Sequence, residues 1–193
     1  MDIKDKIIKE ALELFNEKGI KFSMDSLARK LNMAKKTIYA NFPSKDELSV
    51  AIIHSIFKNI KDQEKNIMNS DLPIIDKLKK VLTLLPDNIN NFNYGRLYEL
   101  RSMRPDLYSY VDDHFKADWE NTTFLFNEAI TDGVIREFDM TVMRNILIGI
   151  FQSIFDPYSP IENCGDYKRT LEDMVELLLR GVIIQVDEKK QKI

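Results

Sequence analysis

An all-α fold is predicted for this 193-residue chain by three observations. Apolar residues recur three and four positions apart along nearly its whole length, the signature of helices burying one face. Runs of β-branched residues alternating with polar ones are few, and only six glycines punctuate the chain. The hydrophobic fraction of 44% and charged fraction of 31% are ordinary for a chain that builds a packed core. Nine helices are expected, the first three forming an N-terminal helix-turn-helix unit and six following it.

Ile3, Ile7, Ile8, Ala11, Leu12 and Phe15 share one helical face, and Lys18-Gly19 supplies the stop. Ser23 then serves as N-cap for Met24–Leu31, with Asp25 in the first turn and Leu27 and Leu31 one turn apart. Asn32 tolerates positive φ and suits a tight turn. A short helix follows from Ala34 to Phe42, anchored by Ile38 and Phe42 and ended by Pro43. Ser44 caps the fourth helix, with Glu47 completing a capping box, and Leu48, Ile52, Ile56 and Ile60 carry its apolar stripe.

The fifth helix is predicted to begin near Ser70, Asp71 and Pro73 and to end at Pro86. Asp87 or Asn88 opens a sixth, and a seventh runs from Pro105 to Thr131 with Gly133 beyond its end. Asp139 caps an eighth, Met140 to Phe155; Asp156 to Pro160 is a loop; a ninth spans about Gly165 to Val186.

Two short helices joined by a three-residue turn, behind a longer supporting helix, have the form of a helix-turn-helix at 23–42, whose second helix enters a major groove. With Ile38 and Phe42 inward, Lys35, Lys36, Thr37, Tyr39, Ala40 and Asn41 face outward. Lysine donates to guanine O6 and N7, asparagine pairs with adenine, and threonine or alanine touches a thymine methyl. Tyr39, Lys45 and Ser23 suit phosphate oxygens, as do the helix N-termini near Met24 and Ser44. Two readings stay open at some positions: Tyr39 packs its ring or reaches DNA with its hydroxyl, and Lys35 and Lys36 bind DNA or form a solvated face.

The pattern Leu27-Ala28-x-x-Leu31, then Thr37-Ile38-Tyr39-x-x-Phe42-Pro43-Ser44-Lys45-x-x-Leu48, resembles the TetR family of bacterial transcriptional regulators over residues 3–55. The chain departs from the family's usual pattern at Lys36, where a glycine is customary, and at Ala40, where a bulkier residue is. The resemblance implies a homodimer on a palindromic double-stranded DNA operator, released by a small-molecule effector, with repression the default. It implies a DNA-binding domain at 1–60 and a six-helix effector-binding and dimerisation domain at 61–193.

Charge follows that division. Residues 1–65 hold 13 basic and 10 acidic side chains, the remainder 15 and 21, so a net charge of −3 conceals a basic front. Aromatics crowd the later helices, and a partly apolar effector is expected among Tyr94, Tyr98, Arg101, Tyr108, Phe115, Trp119, Phe151 and Phe155, although each aromatic taken singly also fits a core. The last two helices carry more apolar surface than one protomer needs, which places Ile146, Ile150, Ile154, Val175, Leu178 and Val182 at a dimer interface, with Gly149 and Gly181 allowing close approach.

Other classes find little support. Two histidines, one cysteine and no phosphate-cradling glycine loop leave no constellation for an enzyme. His114 lies near Asp112, Asp113 and Asp118, but these share no helical face, so neither a metal nor any other cofactor is expected. Cys164 has no partner for a disulfide. A charged N-terminus without an apolar leader, and no run of about 18 apolar residues, point to a cytoplasmic protein with no membrane partner. The alternative is a helical protein-interaction scaffold that does not read DNA sequence.

Overall fold

The computed structural model describes residues 2–89, 92–117, 119–156 and 167–184, without the side chains of 115–117 and 155. Ten α-helices are present among them: α1 (Ile3–Lys18), α2 (Met24–Leu31), α3 (Lys35–Asn41), α4 (Lys45–Met68), α5 (Ile74–Leu82), α6 (Gly95–Met103), α7 (Pro105–Ala117), α8 (Glu120–Thr131), α9 (Met140–Phe155) and α10 (Tyr167–Arg180). A 3-10 turn, Gly19–Lys21, follows α1. Sheet structure among the described residues is limited to an isolated antiparallel bridge between Ile135 and Ile183.

Two compact units arise from non-contiguous stretches: Met1–Glu64 with Leu85–Asp118 and Phe155–Pro160, and Lys65–Leu84 with Trp119–Ile154 and Ile161–Ile193. In the first, Ile7, Leu12, Phe15, Leu27, Ile38, Leu48, Ile52 and Ile56 are all at most 2% exposed, so α1 to α4 share one core. Local chemistry sets its corners. Ser23 Oγ accepts from Ser26 N (3.1 Å) while Ser26 Oγ accepts from Ser23 N (3.2 Å), a reciprocal cap starting α2. Asn32 adopts the left-handed conformation (φ 50°, ψ 43°), which allows the tight turn into α3. Ser44 Oγ accepts from Glu47 N (3.1 Å) and opens α4.

Gly19 takes φ 60°, and a Cβ there would lie 3.0 Å from Glu99 Oε2 and 3.4 Å from Arg96 Cδ on α6. The positive φ is what favours glycine here, and an added Cβ would also have to push the Glu99 carboxylate aside. Arg96 completes that junction by donating to the carbonyls of Asn16 (3.3 Å) and Glu17 (2.9 Å), two of the unsatisfied groups at the end of α1.

In the second unit, α8 packs on α5 and α5 on α10. Phe126, Ala129, Leu147, Leu171 and Leu179 are fully enclosed. Asp139 Oδ1 accepts from Thr141 N (2.8 Å) and caps α9 where expected. Gly133 (φ 68°) follows the C-cap of α8.

Four expectations need correction. Helix α5 ends at Leu82 rather than Pro86, because Thr83 turns its hydroxyl back to the Lys79 carbonyl (2.8 Å). Asp87 does not open a helix: it exchanges hydrogen bonds with Asn59 of α4 (2.8 and 2.9 Å), and the next helix begins at Gly95, whose N–H is taken by Asn93 Oδ1 (3.1 Å). The helix expected over 105–131 is two, α7 and α8, with Trp119 (φ −108°, ψ 0°) as N-cap of the second. Among the described residues seven helices therefore follow α3, where six were expected. Helix α10 ends at Arg180, short of the expected Val186, with the Gly181 N–H bonding the Leu177 and Leu178 carbonyls. The start of the last helix, the 157–160 loop and Cys164 lie outside the described residues.

Candidate nucleic-acid interface

Seven residues make α3, and only Ile38 among them is buried, at 0% exposure. Phe42, immediately beyond, is 7% exposed and secures the C-terminal end. The rest of the helix turns outward: Lys35, Lys36, Tyr39 and Ala40 are exposed, and Thr37 and Asn41 half-buried. Tyr39 is 43% exposed. Asn41 Nδ2 donates to the Thr37 carbonyl (2.8 Å), which orients the amide along the helix with its oxygen outward from that bond. Lys36 makes no ion pair among the described residues, while Lys35 is paired with Asp25 of α2. That pair is exposed on both sides, so a phosphate can replace the carboxylate at little cost.

The flanking positions divide. Ser23 is exposed, and its oxygen is occupied as a cap acceptor, leaving its O–H to donate. Met24 is buried at 7%, so only its main-chain N–H at the start of α2 is left to meet an anion. Lys45 sits in a different setting from the one its sequence position implies. Its ammonium donates to the Ile20 carbonyl and lies 4.8 Å over the Phe22 ring, and burial together with nearby Arg104 holds its pKa below the usual lysine value.

Arg104 is a functional candidate that sequence reasoning missed. From the turn between α6 and α7 it donates to Asp46 Oδ1 in the first turn of α4 (2.8 Å) and, through two nitrogens, to Asp106 in the first turn of α7 (2.9 and 2.6 Å). The guanidinium holds both carboxyls below the ordinary aspartate value, and they raise its own pKa in return. It also neutralises an aspartate at the helix end expected to lie near DNA phosphate. Nothing local marks this role, since Asp46 is 58 residues away.

The aromatic residues expected to form an effector pocket separate by environment. On α6 and α7, Tyr98 and Tyr108 meet edge to face (centroids 6.1 Å, 67°), with the Arg101 guanidinium near both phenols. Burial raises both phenols, Tyr108 to about 12. Tyr94 is enclosed (8% exposed) against Phe92, which makes it core. Within the second unit, Trp119 lies beneath the Arg144 guanidinium (5.4 Å) and Phe151 is half-buried. The side chains of Phe115 and Phe155 lie outside the described residues.

Of the six positions expected at a dimer interface, Ile146 is 43% exposed, and Ile150, Ile154 and Leu178 are half-buried. Val175 (1%) and Val182 (5%) are core of the protomer instead. Leu177 is 72% exposed and was passed over. Gly149 faces open space. Among the described residues no three potential metal-ligating side chains converge, and His114 stacks on Phe57 (4.3 Å, 14°) with Nε2 3.3 Å from His54 Nδ1. No helix among the described residues is long and apolar enough to cross a membrane.

An exposed short helix, carried by a Ser-capped helix and a left-handed turn, defines a helix-turn-helix DNA-binding protein. Comparison with known proteins narrows the class. The sequence profile of the bacterial regulatory proteins, tetR family, matches residues 7–52. The HTH-type transcriptional regulator YvaF of Bacillus subtilis (strain 168) is 30% identical over 178 residues, spanning 92% of this chain and 94% of that protein. The biofilm operon icaADBC HTH-type negative transcriptional regulator IcaR of Staphylococcus aureus (strain Newman) is 27% identical over 66% of this chain and 81% of its own. The structure of the transcriptional regulator FadR from Bacillus subtilis in complex with stearoyl-CoA superposes with a TM-score of 0.69 at 20% identity, covering 92% of this chain and 98% of that one. The chain belongs to the TetR family of bacterial transcriptional regulators.

Proposed function

We propose that this regulator is a homodimeric repressor that binds a palindromic operator and leaves it when a partly apolar small molecule binds. The observation that carries the reading is the outward face of α3, where Lys36, Tyr39 and Ala40 stand exposed beside Thr37 and Asn41. Tyr39 and Lys36 hold phosphate, Asn41, Thr37 and Ala40 meet base edges, and Lys35 exchanges Asp25 for the DNA backbone. Repression is favoured by the likeness to IcaR, and a ligand of acyl-CoA type by the FadR complex.

Coupling in this reading runs through α6 and α7. Tyr98, Arg101 and Tyr108 are the effector contacts, and the same two helices grip the DNA-reading part at both ends: Arg96 on the last carbonyls of α1, Arg104 on the first turn of α4. A ligand that prefers one setting of α6 thereby biases α1 and α4, and with them α3. Two-fold readers need recognition helices about 34–36 Å apart, so a small change in α4 is enough to lose the second half-site. Coupling of about 1–3 kcal/mol changes operator affinity by roughly 5–150-fold.

Anisotropy titrations of labelled operator, with and without acyl-CoA thioesters of graded chain length, test the reading. Release of DNA by one chain-length class, and its loss in Tyr98→Ala, are expected. Operator affinity indifferent to every small molecule that binds the protein contradicts it.

A further inference from the structure

A cleft away from Tyr98 and Tyr108 opens between α1, α4 and the end of α7. It is an open trough of about 910 Å³, within the volume range of small-molecule pockets. Its floor is apolar: Ile8 and Leu12 from α1, Ala51 and Phe57 from α4. His114 closes the α7 end, stacked on Phe57 and in contact with His54. The edge is basic, lined by Lys9, Lys58 and Lys61 against the single carboxylate of Asp5.

These cations are unequal. Lys61 is held 2.9 Å from Glu64, a carboxylate only 5% exposed, and stays where it is. Lys58 pairs with Asp62 one turn on, both exposed, an ion pair weak enough to be exchanged. Lys9 makes no ion pair among the described residues. Two mobile cations on aliphatic stems thus stand over an apolar trough.

We infer that this cleft is a binding site for an amphipathic anion, a molecule whose apolar chain lies on Leu12, Ala51 and Phe57 while its single anionic head, a carboxylate or phosphate, is taken by Lys9 and Lys58. The apolar floor alone accepts a neutral chain, and the basic edge repels a cationic head, so the order of preference is anion, alcohol, ammonium. Because α1 and α4 enclose the cleft and also share a core with α2 and α3, an occupant acts on the DNA-reading part without passing through α6.

Amide NMR spectra of the full chain, recorded without DNA while decanoate, decanol or decyltrimethylammonium is added below its micelle concentration, test this site. Decanoate is expected to shift Leu12, Ala51 and Phe57 saturably, at least about tenfold more tightly than decanol, with no such shifts from the ammonium. A Lys9→Glu, Lys58→Glu double variant should abolish the preference for decanoate and leave decanol unchanged; both side chains are exposed, so folding is unaffected. Ala51→Trp should block both ligands. Equal affinity for the three heads, shifts centred elsewhere, or a double variant that still prefers decanoate overturns the inference. Since no operator is present, failure of the DNA reading leaves this outcome legible.

Discussion

Lys36 and Asn41 sit on the same seven-residue helix but offer different chemistry. An exposed lysine without an ion pair supplies charge alone, so Lys36→Ala should weaken binding uniformly across DNA sequences and lower the slope of log K against log salt by about 1. Asn41 carries an amide oriented by the Thr37 carbonyl, so Asn41→Ala should change preference at particular base pairs, by about 1–3 kcal/mol at each, with the salt slope retained. Salt-dependent anisotropy on matched and mismatched duplexes distinguishes the two. At this scale the sequence was legible wherever a side chain's role depends on its own helix: Ile38 and Phe42, one turn apart, are buried as their spacing predicts. It was illegible where the partner is distant. Nothing near Lys45 announces that its ammonium turns inward to Ile20 and Phe22, and nothing near Lys35 announces Asp25.

Between elements, the Gly19 and Arg104 contacts help hold α6 and α7 against the DNA-reading part, and each yields a prediction. Gly19→Ala places a Cβ at positive φ and 3.0 Å from the Glu99 carboxylate, a loss of about 1–3 kcal/mol by denaturant unfolding. Arg104→Gln removes the tie between Asp46 and Asp106. Both carboxyls have pKa values lowered by the guanidinium, so their stabilisation is full above the ordinary aspartate value of about 3.9 and is lost as pH falls through the lowered ones. The wild-type protein should therefore lose thermal stability on acidification below about pH 4 more steeply than Arg104→Gln, and at neutral pH the variant should keep its fold but lose effector response. Identical acid profiles by circular dichroism would remove Arg104 from the coupling route. Elements bounded by Ser23, Asn32, Ser44, Asp139 and Gly133 were legible because caps and left-handed turns are local chemistry. The break before Trp119 was not, for neither proline nor glycine marks it. The start of α6 was misplaced for the opposite reason: Asp87 looks like a cap, yet its carboxylate is already bound to Asn59 across the fold.

At the scale of the whole molecule, the proposed function requires a dimer, and the exposed apolar side chains of the second unit are the surface proposed for it. Leu177 at 72%, Val142 at 53% and Ile146 at 43% exposure are costly to leave in water. Leu177→Glu should yield a folded monomer by analytical ultracentrifugation, with operator affinity reduced by at least about a hundredfold because the second half-site contact is lost. A dimer unaffected by Leu177→Glu and Ile146→Glu together would move the interface elsewhere. The net charge of −3 also takes on meaning here, since the charges proposed to face DNA are gathered in the first quarter of a chain whose remainder is acidic.

The central claim is that two copies of α3 read duplex DNA by sequence. Selection of bound duplexes from a random pool by the full-length protein tests it most directly. An inverted repeat is predicted, with half-sites one helical turn apart, about 10–10.5 base pairs centre to centre or a multiple of that, and with base preferences that Asn41→Ala alters. Binding that enriches no sequence, or enriches one that is unchanged by every substitution on the outward face of α3, would contradict it.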